Sequence, residues 1–153
     1  MTEAAQPGAA QPGAAQPGAA QPDTPPEGAA LPRHIHRLGA AGPVETGRVP
    51  PDKRLSGDGA TATWNAFSDP SGRFHAGHWR HGPGAIAVSY AEDELCVILS
   101  GTVRLTGADG VAADFGPGDA FVIAAGFAGT WDSLTEVTKI YAILLPPTLP
   151  GPH

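Results

Sequence analysis

From residue 60 onward the chain alternates short runs of β-branched and aromatic residues with clusters of glycine, proline, aspartate and serine. The runs cover residues 61–67, 73–81, 85–90, 94–100, 103–106, 121–124 and 137–145. Between them lie Asp69-Pro70-Ser71-Gly72, Gly82-Pro83-Gly84, Ala108-Asp109-Gly110 and Gly116-Pro117-Gly118-Asp119. Branched and aromatic side chains suit a pleated, half-buried surface. Proline presets φ, glycine supplies positive φ, and aspartate bonds its own turn backbone, so each cluster reverses the chain. No segment between the runs carries the 3.6-residue period of an amphipathic helix. Many short strands without helices predict an all-β domain, a closed or nearly closed β-barrel or a jelly roll.

Upstream the pattern changes. Residues 4–22 repeat Ala-Ala-Gln-Pro-Gly, with prolines at Pro7, Pro12, Pro17 and Pro22. A five-residue unit with proline in every copy and no large apolar side chain sustains neither helix nor ladder. Residues 1–32 are therefore expected to be a disordered tail. Residues 33–56, with Arg33, Arg37, Arg48, Lys53 and Arg54, form no sustained period and are expected to be an extended arm. Such an arm suits pairing with an open sheet edge of the barrel or of a neighbouring subunit. The barrel is expected over 57–147 and a short C-terminal tail over 148–153.

Composition narrows the function. With 153 residues and 41% hydrophobic content the chain supports one core. The net charge of −6 gives no footprint for nucleic acid or an anionic membrane surface. Apolar runs such as residues 140–147 are too short to span a bilayer. The lone Cys96 forms no internal disulfide, and the first residues show no secretion signal, so a cytoplasmic protein is expected.

Two segments carry a resemblance. In Glu94-Leu95-Cys96-Val97-Ile98-Leu99-Ser100-Gly101 a carboxylate is followed by six residues and a turn glycine. In Gly118-Asp119-Ala120-Phe121-Val122-Ile123-Ala124-Ala125-Gly126 a Gly-Asp turn leads into a short strand and a second turn, with Ala124 where proline is usual. They resemble the two cupin motifs. Gly77-His78-Trp79, Pro83-Gly84, Tyr90 to Glu94, Asp109-Gly110, Gly126 to Trp131 and Lys139-Ile140-Tyr141 narrow the likeness to one group of small cupins. It includes the ethanolamine-utilisation cupin and the domains of (S)-ureidoglycine aminohydrolases. The resemblance implies an RmlC-like jelly-roll β-barrel and a homodimer.

It also shows what is missing. The histidine ligands of metal-binding cupins fall at Val88, Tyr90 and Gly129, leaving Glu94 alone, so no metal and no cofactor are expected. His34 and His36 form a His-x-His in the arm with no glutamate at the right distance. His75, His78 and His81 recur every third residue, which throws successive rings onto opposite faces of a strand.

Glu94 inherits the inward ligand position, and Cys96, two residues on, points to the same interior. Tyr90 stands four residues before Glu94. Lys139 interrupts an apolar strand, Tyr141 shares its face, and the resemblance implies that this Lys-x-Tyr pair points inward. Trp79 and Trp131 supply flat apolar walls. Glu94, Lys139 and Tyr90 are the candidate catalytic residues, and Trp79, Tyr90, Glu94, Cys96, Trp131, Lys139 and Tyr141 the candidate substrate pocket. Two readings stand open. The protein is either a metal-independent isomerase, epimerase or hydrolase of a small polar metabolite, or a non-catalytic small-molecule-binding or accessory cupin. A buried Glu94–Lys139 ion pair with a purely structural role is compatible with the same residues.

Overall fold

The computed structural model describes Gly28 and residues 30–148. The repeat expected to form a tail lies outside these residues, as do residues 149–153. Ten strands follow in order: β1 (Glu45–Arg48), β2 (Ala60–Ser68), β3 (Phe74–His81), β4 (Gly84–Ser89), β5 (Asp93–Ser100), β6 (Val103–Gly107), β7 (Ala112–Phe115), β8 (Ala120–Ile123), β9 (Ala128–Ser133) and β10 (Val137–Leu144). Six form one antiparallel sheet in the order β1-β2-β3-β10-β5-β8, and four form a second in the order β4-β9-β6-β7. This is the two-sheet form of the jelly roll rather than a fully closed barrel.

Each branched or aromatic run in the sequence lies on a strand, and three strands come in addition. β7 and β9 are poor in branched residues. Their places are set by pairing: β9 runs between β4 and β6, and β7 pairs with β6 from Val103↔Phe115 to Thr106↔Ala112. Tertiary context overrides weak strand propensity here. β1 belongs to the arm and pairs along β2 as an edge strand. A few residues later the Leu55 N–H donates to the Ala85 carbonyl at 2.8 Å, and the Ala87 N–H to the Lys53 carbonyl at 2.8 Å. The arm therefore hydrogen-bonds to the edges of both sheets.

The core lies between the sheets and is built on Ile86, Cys96, Ile98, Val103, Ile123, Trp131 and Val137. Strand alternation sorts β5 cleanly: Glu94, Cys96 and Ile98 are buried, while Leu95 and Leu99 are exposed on the outer face. Gly101 and Gly118 take φ of 81° and 88°. Both serve turns where a side chain would be strained, and at Gly101 a Cβ would also overlap the Glu136 carbonyl. No helix among the described residues is long and apolar enough to cross a membrane.

Candidate functional site

β10 and β5 run side by side, and their inward faces meet at the middle of the six-stranded sheet. The register sets Tyr141 opposite Cys96 and Ile143 opposite Glu94, with an irregularity between Thr138 and Lys139. On its other side β10 sets Lys139 opposite Trp79 and Tyr141 opposite Gly77. The result is a buried cluster. Lys139 Nζ donates to Glu94 Oε1 at 2.6 Å and to Cys96 Sγ at 3.3 Å. Lys139 is 3% exposed and Glu94 5%.

Two indoles complete the surroundings of the ammonium. Nζ lies 5.0 Å from the Trp79 ring centroid and 4.5 Å from that of Trp131, and the two rings meet edge to face at 5.6 Å. An ammonium taken from water without compensation is strongly disfavoured; here a carboxylate and two π-faces replace its hydration. The indoles are themselves held. Trp131 Nε1 donates to Ser133 Oγ at 3.0 Å, and Ser133 Oγ lies 2.8 Å from His81 Nδ1. The His81 ring in turn stacks on Trp79 at 5.3 Å, nearly parallel. His81 Nε2 has no hydrogen-bond partner among the described residues, and burial pulls the His81 pKa down.

A cavity of about 670 Å³ opens above this cluster. Of the residues singled out in the sequence, Trp79, Tyr90, Glu94, Trp131, Lys139 and Tyr141 all line it. Tyr90 follows directly on β4, its N–H donating to the Phe127 carbonyl at 2.9 Å and its carbonyl accepting from Gly126 at 2.8 Å. Burial, and then the neighbouring Glu94 carboxylate, push the Tyr90 phenol far up, so it stays a neutral hydrogen-bonding group. Cys96 is different. It is fully buried beneath Lys139, outside the cavity lining. Burial pushes its thiol up to about 11, against the pull of Lys139. A neutral thiol with no access to the cavity is no nucleophile.

The histidines separate as strand alternation requires. His75 lines the cavity, His81 belongs to the core network, and His78 is buried on the opposite face of β3. His34 and His36 stay exposed in the arm, and the His36 ring lies 4.6 Å from Phe67.

Sequence reasoning passed over one wall of the cavity. Thr63, Asn65 and Ser68 of β2, with His75 of β3 and Glu45, Val49 and Lys53 of the arm, line it as well. The signal was the polar series at residues 61, 63 and 65, which alternation puts on one face. A polar strand face ordinarily meets solvent, and here it meets the cavity.

The donor set does not fit a transition metal. Val88 and Gly129 are paired across β4 and β9 where ligands would be needed, and the Glu94 carboxylate is engaged by an ammonium. Among the described residues no three His, Cys, Asp or Glu side chains are gathered as a metal site would require.

Residues 68–141 match the model of the EutQ-like cupin domain. Among solved structures, a protein of unknown function from Pseudomonas syringae pv. tomato superposes with a TM-score of 0.63 at 24% identity. That match covers 69% of this chain and 46% of that one, so the chain spans less than half of it. A EutQ-type ethanolamine utilization protein from Salmonella typhimurium gives a TM-score of 0.54 at 18% identity, covering 72% of this chain and 92% of that one. The Clostridium difficile EutQ protein gives 0.50 at 19% identity, covering 55% and 61%. These identities speak for the fold alone. No curated protein matches the sequence. The motif series, the two-sheet topology and the family match agree that residues 68–141 form a EutQ-like cupin domain.

Proposed function

We propose that the cavity binds a small polar metabolite and that Glu94, Lys139 and Tyr90 move a proton on it without a metal. One observation carries this reading: the Lys139–Glu94 pair, at 2.6 Å, sits buried at the wall of an open cavity between two indole faces. A purely structural ion pair gains nothing from lining a cavity. Lys139 bonds the carboxylate that the cupin resemblance makes a ligand position, and its ammonium is suited to stabilise negative charge developing on a carbonyl oxygen. In that step Glu94 takes the proton from the adjacent carbon, the electron pair moves onto the oxygen, and Lys139 and the Tyr90 hydroxyl donate hydrogen bonds to it. Return of the proton to another position or face completes an isomerisation or epimerisation. Hydrolysis of a ureido or carbonyl compound would use the same base on water.

A second reading, a non-catalytic binding or accessory cupin, has its own support. Glu94 already accepts a short bond from Lys139, and a carboxylate so engaged is a weak base until a ligand draws the ammonium away. A thermal-shift screen of small polar metabolites, with elemental analysis of the same preparation, separates the cases. Stabilisation by one chemical class that is then turned over supports the enzyme, and stabilisation without turnover supports the binding protein. No stabilising metabolite, or one equivalent of a transition metal lost on Glu94→Gln, would overturn both.

A further inference from the structure

A second polar arrangement lines the cavity away from the charged pair. Tyr141 Oη lies 2.9 Å from Asn65 Oδ1, Asn65 Nδ2 lies 2.8 Å from Ser68 Oγ, and Ser68 Oγ lies 2.7 Å from His75 Nδ1. The series ends where His75 Nε2 lies 2.9 Å from the Gly72 carbonyl.

That last partner fixes the direction of every bond. A carbonyl oxygen only accepts, so His75 Nε2 carries the hydrogen, and in the neutral ring Nδ1 is then an acceptor. The Ser68 hydroxyl must donate to it, which leaves Ser68 Oγ to accept from Asn65. The Asn65 amide nitrogen therefore faces Ser68 and its oxygen faces Tyr141, whose hydroxyl proton is committed to Asn65. Tyr141 is left with lone pairs alone for anything that enters the cavity. Gly77 gives the hydroxyl this position, since a Cβ there would stand 2.9 Å from Tyr141 Oη and overlap the Trp64 carbonyl. Electrostatics act in the same sense. After burial, the carboxylates of Glu94 and Glu45 raise the Tyr141 pKa, so negative charge surrounds the oxygen that must accept.

We propose that Asn65, Ser68 and His75 are specificity-determining residues that lock Tyr141 as a hydrogen-bond acceptor. The site then selects ligands bearing a donor, a hydroxyl or an ammonium, at the end away from Lys139. This rests on the proposed use of the cavity. Lys139 and Tyr141 are two residues apart on one strand face, about 6.6 Å along it. A para-substituted benzoate, with a carboxylate at one end and a donor or acceptor at the other, is a simple probe of this arrangement.

Two measurements on the full chain test it. The first needs no ligand: nitrogen-15 spectra of labelled histidine at mildly alkaline pH read the His75 tautomer. Protonation at Nε2 is expected, and a hydrogen on Nδ1 would overturn the proposal. The second compares 4-hydroxybenzoate, 4-(aminomethyl)benzoate and 4-methoxybenzoate by ligand-observed NMR. The hydroxy and aminomethyl probes are expected to bind about tenfold more tightly than the methoxy probe, which sets acceptor against acceptor. The order of the first two tells a neutral donor from a cationic one. Asn65→Ala frees the Tyr141 proton to turn into the cavity and should bring the methoxy probe to near parity with the hydroxy probe. A merely structural Asn65 would weaken all three alike, which would overturn the proposal. Equal binding of the hydroxy and methoxy probes by the unsubstituted protein would overturn this inference alone. Binding of none would overturn the proposed use of the cavity and this inference with it.

Discussion

Lys139 reaches Glu94 across 45 residues of sequence and bonds its carboxylate at 2.6 Å, with both side chains almost fully buried. The irregularity between Thr138 and Lys139 adjusts the register of β10 against β5 just ahead of the lysine. Neither charge would be tolerated there without the other.

Lys139→Met and Glu94→Gln are each expected to destabilise the fold by about 3 to 5 kcal/mol, because each leaves an uncompensated buried partner. The double substitution Glu94→Leu with Lys139→Met should recover most of that loss. Chemical denaturation of the three variants measures it. Negligible shifts in the single variants would place the pair in solvent-like surroundings.

Cys96 should resist iodoacetamide at mildly alkaline pH in the folded protein and react fully in denaturant. Its thiol, pushed up to about 11 by burial, stays protonated, and it lies outside the cavity lining. Mass spectrometry of the alkylated protein reads the result directly. Rapid labelling of the folded chain would contradict this placement.

Acid should weaken the fold through two histidines. Burial lowers the pKa of both His78 and His81, and for His81 Asp58 and Asp132 pull weakly the other way. A base with a lowered folded pKa is fully stabilising above the unfolded value, about 6.5. That contribution is lost as pH falls from there through the folded pKa, because the unfolded chain binds more protons. Melting temperature should therefore fall between about pH 7 and pH 5, and His81→Asn should lessen the fall. A flat profile would contradict it.

The outer face of the six-stranded sheet exposes Leu95, Leu99, Val122 and Leu144. A homodimer covering this face is expected, and light scattering behind size-exclusion chromatography measures it. Leu99→Glu should shift the population to monomer. A monomeric unsubstituted protein at tens of micromolar would contradict the expectation.

Seven of the ten strands were visible in the sequence as branched or aromatic runs, the edge strands β4 and β8 among them. β5 and β10 carry branched residues and are paired on both flanks; the cupin resemblance set Glu94 and the Lys139–Tyr141 pair inward, and period-two alternation put Cys96 on the face of Glu94. β9 was hidden although it is central to its sheet, because Ala128-Gly129-Thr130 has little to bury. The β2 wall was hidden for another reason. Alternation places Thr63 and Asn65 on one face without telling which face encloses a cavity, since that depends on the arm that the edge strand β1 brings alongside. Cys96 shows the converse limit. Alternation gave its face correctly, and only the length of the lysine lying over it decides that it does not reach the cavity.

The most direct test of the cavity as the functional site uses the three tryptophans. Trp79 and Trp131 line it, whereas Trp64 lies outside the lining, where the Arg80 guanidinium sits 5.3 Å from its ring. Indole resonances followed in nitrogen-15 correlation spectra, while pooled small polar metabolites are added, read all three at once. The account predicts that an active pool moves Trp79 and Trp131 and leaves Trp64 in place, and that the double substitution Glu94→Leu with Lys139→Met, which removes the pair together, abolishes the shifts. Pools that move only Trp64, or none of the three, would contradict it.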